Sequence, residues 1–238
     1  MHRSEIEMAA APEALQFYRR PLPATCLPFD GDEGQRVFSA ALAEGHMTRF
    51  FALVAQFRTQ DEPAYCGLGT LTMALNTLQI DPGRVWKGVW RWYDESLLDC
   101  CKDLALVQKE GITLDEFVCL ARCNGCNARM TRAGAGSVES FRRCVAEVCA
   151  GRDAVLACSY SRKNLGQSGD GHFSPIGGYN REKDLVLLLD VARFKYLLRI
   201  SIEIATFLVL FSIEKPAVSG EYLRHKIQQC ASVVWSIL

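Results

Sequence analysis

One cysteine of this chain stands at the predicted start of a buried helix. Pro63 favours a turn just before Cys66, and the apolar residues that follow recur at helical spacing. A thiol in the first turn of a helix faces unpaired backbone N–H groups and the positive end of the helix dipole, and both lower its pKa. Cys66 is therefore a candidate nucleophile. The alternative is a small buried cysteine that only fills the core, which is the commoner role of a single cysteine.

The small number of histidines identifies a candidate base. An activated cysteine usually needs an imidazole, and the sequence contains four histidines. His2 belongs to a loose N-terminal segment, His46 to a break between two predicted helices, and His225 to a polar stretch near the C-terminus. His172 instead follows the residues SGDG and opens a predicted strand. It is therefore the candidate general base.

Two further residues complete the candidate set. The predicted strand that ends at Asp190 follows the strand of His172 after a hairpin turn over residues 180–184. A turn centred near residue 181 or 182 places the carboxylate and the imidazole on one face, where Asp190 would orient the ring. Gln60, six residues before Cys66, is placed to donate its side-chain amide to an oxyanion beside the Cys66 N–H. Each residue alone has an ordinary structural interpretation, but together they favour acyl transfer by a cysteine nucleophile.

The elements that must position these residues change type along the chain. Two helices are predicted between Gly34 and Phe57, with a break near Gly45, before the helix that begins at Cys66. Asp94–Ser96 can start a short helix, and Thr113 can cap the next one over residues 114–120. Three strands are predicted in the second half, at residues 154–160, 173–179 and 185–190. Helices followed by strands predict an α+β fold.

Two segments show neither the helical nor the strand spacing of apolar residues. Residues 17–29 contain three prolines and are expected to be extended, lying across the surface as a strap instead of forming a regular element. Three tryptophans and a tyrosine fall within residues 86–93. A packed hydrophobic corner is favoured there over the wall of a cleft, because large aromatic side chains dominate core packing.

Charge, hydropathy and cysteine usage exclude several classes of partner. Lysine plus arginine equals aspartate plus glutamate at 27 each, so no nucleic-acid surface is expected. The longest apolar run, residues 204–213, is shorter than the roughly 20 residues that span a bilayer. The N-terminus shows no signal core, and eleven cysteines with an adjacent Cys100–Cys101 pair fit poorly with a simple disulfide framework. We therefore expect a cytoplasmic protein with mostly reduced cysteines and no membrane partner.

Three stretches resemble the catalytic domain of phytochelatin synthases. They are residues 59–101 (TQDEPAYCGLGTLTMALNTLQIDPGRVWKGVWRWYDESLLDCC), 171–180 (GHFSPIGGYN) and 189–196 (LDVARFKY). The resemblance runs from about Phe17 to Tyr196 and implies a papain-like α+β fold, with a helical N-terminal half packed on an antiparallel sheet formed by the C-terminal half. Three regions are therefore expected: a flexible leader at residues 1–14, which is Ala-rich and shows no periodicity, a catalytic domain at 15–196, and a tail at 197–238 with no assigned role.

The resemblance implies a glutathione γ-glutamylcysteinyltransferase, which is a dipeptidyl transpeptidase. Cys66 would attack the Cys–Gly amide of glutathione, with His172 as base and acid, Asp190 as its orienting group and Gln60 as oxyanion donor. Loss of glycine would leave a γ-Glu-Cys acyl-enzyme. A second glutathione or a growing phytochelatin would then accept the acyl group through its α-amine. The implied biological role is heavy-metal detoxification.

Heavy-metal ions are expected partners and no tightly bound cofactor is expected. Soft ions such as Cd(II) and Zn(II) bind thiolates strongly, so a metal–glutathione thiolate would be the substrate or the activator. Glu62 and Arg193 are expected to contact the substrate, although a surface arginine is an equal alternative for Arg193. Candidate metal ligands are five cysteines, whose spacing does not reproduce a paired CxxC zinc site: Cys100, Cys101, Cys119, Cys123 and Cys126.

The sequence departs from the family pattern after Tyr196. The family continues with a Pro-rich turn and a segment that helps to hold the γ-glutamyl end of the substrate, whereas residues 197–238 cannot be aligned and no counterpart of the cysteine-rich C-terminal domain of plant-type members is found. An incomplete substrate pocket is therefore expected. Two alternatives to the transpeptidase stay open: a glutathione or glutathione-conjugate hydrolase with the same residues, and a catalytically idle, thiol-rich metal-binding protein. Self-association into a homodimer is also left open.

Overall fold

The computed structural model describes residues 20–132, 137–196, 199–201 and 209–216. Within them, six α-helices surround one antiparallel sheet, and two 3-10 turns lie at Glu95–Leu97 and Arg162–Leu165. The helices are α1 Asp32–Ala43, α2 Thr48–Val54, α3 Cys66–Thr77, α4 Leu104–Glu110, α5 Leu114–Cys123 and α6 Val138–Ala150. None of the helices in these residues is both long enough and apolar enough to cross a membrane.

The sheet has seven strands in the described residues. They are β1 Cys26–Pro28, β2 Asn127–Arg132, β3 Ala154–Tyr160, β4 His172–Asn180, β5 Leu185–Leu188, β6 Arg199–Ser201 and β7 Val209–Glu214. The order across the sheet is β1-β6-β5-β4-β3-β7-β2, and each neighbouring pair is antiparallel. This arrangement of helices on an antiparallel sheet confirms the predicted α+β class.

Both faces of the central strands are buried. Alternate residues of β3 enter two cores: Val155 and Ala157 pack with α1, α2, α3 and α5, whereas Leu156 and Cys158 pack with α6 on the other face. The unbroken apolar sequence of β5 has the same cause, since a strand covered on both faces has no solvent-facing positions. Helix α3 is likewise buried around its whole circumference from Gly67 to Thr77, which is more than the single apolar stripe predicted.

Several local predictions are confirmed. The chain breaks between α1 and α2 at Gly45, whose φ of 82° is accessible to glycine at little cost. Thr113 caps α5: its hydroxyl accepts the Glu116 N–H at 3.3 Å, and the Glu116 carboxylate accepts the Thr113 N–H in return. The residues after Asp94 form only a 3-10 turn, capped by that aspartate.

Other predictions are wrong in part. The proline-containing segment forms strand β1 at Cys26–Pro28, because its backbone pairs with β6. The tryptophans do not form a packed corner: Trp90 and Trp92 are 70% and 44% exposed on a loop, and only Tyr93 is buried. The loop turns back on itself through a bridge between Lys87 and Trp90, and Trp86 is half-buried. The leader at residues 1–14 lies outside the described residues.

A bulge in β4 decides which residues of β5 face His172. Near the hairpin turn Asn180 pairs with Leu185, but beyond Gly177 the register shifts by one, so that Ile176 pairs with Leu188. A one-residue shift moves every later side chain to the opposite face. Continued past the end of β5, the shifted register puts Asp190 diagonal to His172 on one face. Without the shift the carboxylate would point away from the imidazole.

Close packing of α2 on β4 gives a first prediction. A Cβ added at Gly178 would lie 2.0 Å from Met47 Sδ, so Gly178→Ala must displace a buried side chain. We expect it to lower the free energy of unfolding by about 1–3 kcal/mol, measured by urea denaturation. The control is Gly151→Ala, where the added Cβ would lie 3.3 Å from Glu147 O and needs only a small shift of this neighbour, so that a smaller loss is expected. Equal effects of the two substitutions would contradict this packing argument.

Candidate active site

The structure brings Cys66 and His172 into contact. Cys66 is the first residue of α3 and His172 the first residue of β4, and these two elements pack against each other. The thiol is close enough to the His172 side chain and to the backbone N–H of Phe173 for both to lower its pKa, and Cys66 and His172 line the same cleft. Because Cys66 begins the helix, its own N–H has no acceptor within that helix and is available to a ligand.

Electrostatics favours the charged forms of this pair. Burial alone would raise the pKa of the Cys66 thiol, but the His172 imidazole and the Phe173 N–H outweigh it, so that the pKa of Cys66 is lowered. Burial alone would also lower the pKa of His172, but the charges of Asp190 and Cys66 outweigh it and the pKa of His172 is raised. The pKa of the thiol is lowered and the pKa of the imidazole is raised, and both shifts favour a thiolate–imidazolium pair.

Asp190 holds the far side of the imidazole. Its Oδ1 lies 2.7 Å from His172 Nε2, and the same oxygen accepts the Ala192 N–H at 2.9 Å. A carboxylate is an acceptor, so His172 Nε2 carries the hydrogen and Nδ1 is left for the thiol side. Asp190 lies two residues beyond β5, which ends at Leu188 and not at Asp190 as predicted, although the Leu189 N–H still donates to Pro175 O at 3.1 Å.

Arg162 is a buried member of the site that the sequence analysis missed. Its Nη2 donates to both oxygens of Asp190, at 3.1 and 2.8 Å, and lies 2.8 Å from His172 Nε2. Its Nη1 donates to Gln167 Oε1 at 2.6 Å. Tyr160 pairs with His172 in the β3–β4 ladder, and this register places Arg162, two residues later, beside the imidazole. A register argument of this kind was the only signal that would have found it.

Gln60 is buried close to the same residues but its amide is already bonded. Nε2 donates to the carbonyl oxygens of Glu62 and Pro63, both at 2.8 Å, which uses its two hydrogens, while Oε1 has no partner among the described residues. The Gln60 N–H donates to Val191 O at 3.0 Å and so ties this loop to the Asp190 segment. The role of oxyanion donor stays a prediction for Gln60.

The buried carboxylate of Glu95 holds the loop that carries Gln60 and Asp61. Glu95 Oε2 accepts the Asp61 N–H at 2.9 Å, and Oε1 lies 3.6 Å from Arg58 Nε. Burial raises the pKa of Glu95 to about 8, against the opposing effects of the Asp61 N–H and the Arg58 charge. A Cβ added at Gly69 of α3 would lie 2.7 Å from Glu95 Oε1, so this glycine makes room for the carboxylate.

A cleft of about 1040 Å³ opens above Cys66 and His172. Its walls carry the cations Arg20, Lys109 and Lys195 besides Arg162, while its acids Glu110 and Asp170 are paired with lysines 2.9 Å away. The wall therefore favours a ligand that carries carboxylates.

The two predicted substrate contacts lie off this wall. Glu62 and Arg193 are not among the residues that line the cleft, and the Arg193 guanidinium instead stacks on the Phe57 ring with 4.8 Å between its central carbon and the ring centroid.

Four of the candidate metal ligands are paired as disulfides. Cys100 bonds to Cys123 and Cys101 to Cys119, with Cα–Cα distances of 6.7 and 6.3 Å. The expectation that adjacent cysteines do not fit a disulfide framework is wrong here, because α5 presents Cys119 and Cys123 one turn apart toward the loop that holds the adjacent pair. The sulfur atoms of Cys100, Cys101 and Cys123 also lie within 4.8 Å of one another, as a metal site requires. Cys126 is buried in the main core, outside this group.

The shifted pKa values predict the reactivity of Cys66. In the native protein, iodoacetamide should alkylate it at pH values well below the ordinary pKa of a thiol. His172→Ala removes the group that lowers the pKa of Cys66 and leaves the burial that raises it. A higher pKa leaves less thiolate at neutral pH, so the variant should react more slowly than the native protein.

The measurement is the alkylation rate against pH, with the modified peptide identified by mass. Asp190→Asn should lower the pKa of His172, since the carboxylate raises it in the native protein. The imidazolium should therefore lose its proton at a lower pH in this variant. Cys144→Ser serves as control, because this half-buried thiol of α6 has a pKa that burial raises. Superimposable profiles for the native protein and His172→Ala would contradict the pairing.

Comparison with known proteins agrees with this geometry. A family model described as phytochelatin synthase matches residues 17–203. A glutathione gamma-glutamylcysteinyltransferase of Schizosaccharomyces pombe is 52% identical over 180 residues, which are 76% of this chain and 44% of that protein. Proteins of the same name from Lotus japonicus and Arabidopsis thaliana are 52% and 48% identical over 180 residues, 75% of this chain and 38% and 37% of their own lengths. This chain thus spans less than half the length of these relatives. It belongs to the phytochelatin synthase family.

Proposed function

We propose that this protein is a γ-glutamylcysteinyl transferase that forms phytochelatins from glutathione. The observation that carries the proposal is that the half-buried Cys66 and the buried His172 line one cation-lined cleft, with the Asp190 carboxylate 2.7 Å from the imidazole. The relatives named glutathione gamma-glutamylcysteinyltransferase supply the substrate. Glutathione carries two carboxylates and one ammonium group, which suits the charge of the cleft wall.

The first half-reaction is acylation of Cys66. The thiolate attacks the carbonyl carbon of the Cys–Gly amide, and the oxyanion is stabilised by the Cys66 N–H at the start of α3. Gln60 would join it by exchanging one of its two backbone hydrogen bonds for the oxyanion. The His172 imidazolium gives its proton to the leaving nitrogen, glycine departs, and γ-Glu-Cys stays on the sulfur as a thioester.

The second half-reaction transfers the acyl group. The neutral imidazole of His172 takes a proton from the α-amine of a second glutathione or of a phytochelatin, and this amine attacks the thioester and releases the thiolate. Asp190 holds the imidazole with Nδ1 toward the sulfur in both halves, because its bond to Nε2 persists. Water as acceptor would give hydrolysis through the same intermediate.

Heavy metals enter this proposal as part of the substrate. Cd(II) and Zn(II) bind the thiolates of two glutathione molecules and present them as one complex, which fits a cation-lined cleft because such a complex is anionic. The proposed role is therefore detoxification of soft metals in the cytoplasm, where glutathione is reduced. Glu62 and Arg193 remain proposed substrate contacts that would need to turn toward the cleft.

The test is incubation of the purified protein with glutathione, with and without Cd(II). We expect release of glycine, formation of (γ-Glu-Cys)2-Gly, and a γ-Glu-Cys adduct on the peptide that contains Cys66. Cys66→Ser should abolish all three, and His172→Ala should lower the rate by about 10²–10⁴-fold. Cys144→Ser is the matched control and should react as the native protein does.

The products separate the alternatives. Glycine release together with γ-Glu-Cys and no longer peptide would support the hydrolase instead. Binding of Cd(II) with no glycine release from the native protein would support the idle metal-binding protein and refute the transferase.

We further propose that the paired cysteines bind a soft metal after reduction. Cys100, Cys101, Cys119 and Cys123 offer four thiolates from one loop and one helix, and Cd(II) and Zn(II) prefer such ligands. Reduced protein should bind more Cd(II) than oxidised protein, with thiolate-to-metal absorbance. Replacing Cys100 and Cys123 together by serine should remove that difference, whereas Cys144→Ser should not. The same Cd(II) stoichiometry in the reduced and the oxidised native protein would contradict the proposal.

A further inference from the structure

A second cavity lies at the far end of α3 from Cys66. It encloses about 570 Å³ between the residues that precede and form α2, the C-terminal end of α3 and the segment after α6. Ligand pockets commonly enclose about 300–1,000 Å³. Three cationic side chains line it, those of Arg49, Arg152 and Lys215, and no acidic residue of the described chain does. We call it the Arg49 cavity.

Arg49 is the buried group of this cavity. The residue is 3% exposed, and its Nε and Nη2 have no hydrogen-bond partner in the described residues. No carboxylate of the described residues lies within salt-bridge distance of the Arg49 guanidinium. Asp153 acts on its pKa only through charge, from a longer distance. Native proteins rarely leave buried donors unpaired, and an uncompensated buried charge is costlier still.

Other described groups do not account for this arginine. The end of α3 attracts cations through the helix dipole, but a dipole does not accept hydrogen bonds from the two buried nitrogen atoms. Water would accept those hydrogen bonds and would leave the charge uncompensated. Burial lowers the pKa of Arg49 and the charge of Arg152 lowers it too, while Asp153 opposes them from beyond salt-bridge distance. The missing component is an anion.

The remaining polar groups indicate which kind of anion. The Thr77 hydroxyl is buried and has no partner in the described part of the chain, and Thr48 and Gln79 also line the cavity. Three cations together with hydroxyl and amide donors exceed what one carboxylate accepts, and they match the oxygen atoms and double charge of a phosphate. Lys215 and Arg152 are exposed at the cavity wall, so the ligand has a route in from solvent.

We propose that the Arg49 cavity binds a phosphate dianion, held by Arg49 from inside and by Arg152 and Lys215 at the opening. This site is separate from the catalytic cleft, since the two cavities share no lining residue. It is also independent of the transferase proposal. Different measurements test the phosphate site and the transferase activity.

The test is titration of the full chain with inorganic phosphate at constant ionic strength, followed by calorimetry and by Tm. Saturable binding and a Tm that rises with phosphate are expected, because a ligand of the native state stabilises it by mass action. Arg49→Met should abolish the binding and leave the Tm in chloride buffer unchanged or higher, since it removes a buried unpaired charge. Arg152→Gln should weaken binding by about tenfold.

Two controls locate the site. Arg143→Gln, an exposed position of α6 outside the cavity, should bind phosphate as the native protein does. Lys195→Gln tests the catalytic cleft and should also bind normally. Loss of binding in Lys195→Gln, or undiminished binding in both Arg49→Met and Arg152→Gln, would overturn the proposal. The absence of saturable binding to the native protein would overturn it too, and Arg152→Gln keeps the test valid if Arg49→Met fails to fold.

Discussion

The contact between the Cys66 thiol and the His172 imidazole requires one helix start and one strand start to meet at a fixed distance. Helix α3 is buried on all sides, so the core sets where its first residue lies. Strand β4 sits in the middle of the sheet and contacts α1, α2, α3 and α6. Cys66 and His172 thus belong to two largely buried elements, and neither element can shift without repacking its neighbours.

Enclosure of that kind creates an electrostatic problem that the neighbouring residues solve. Charged groups away from water are stable only when paired. Along the site the favoured charges alternate in sign, from the Cys66 thiolate through the His172 imidazolium and the Asp190 carboxylate to the Arg162 guanidinium. The four sum to zero within a few ångströms. Arg162 therefore matters to the thiolate without touching it, because it allows Asp190 to stay ionised beside the imidazole.

How much the sequence revealed depends on the range of the interaction concerned. Cys66 at a helix start and the Thr113 cap were predictable, because each is encoded within a few residues. His172 and Asp190 required only a hairpin between neighbouring strands, although the bulge at Gly177 that aligns them was not foreseen. The roles proposed for these residues rest on their geometry.

Features that depend on distant partners were not predictable. Arg162 meets Asp190 only through the register of three strands, and the pairing of Cys100 with Cys123 needs a loop to meet a helix. The exposure of Trp90 was missed for a related reason: aromatic content predicts burial only when another element is present to cover it.

The sheet continues through the region after Tyr196, of which the family model matches residues up to 203. Strands β6 and β7 come from the region after Tyr196, and they flank the central block, with β6 beside β5 and β7 beside β3. Their pairing uses backbone N–H and C=O groups, which every residue except proline offers alike. A segment held in this way can accumulate side-chain changes while it still shields two strand edges from intermolecular pairing. The amino-acid sequence of these strands can therefore diverge while their place in the sheet is kept.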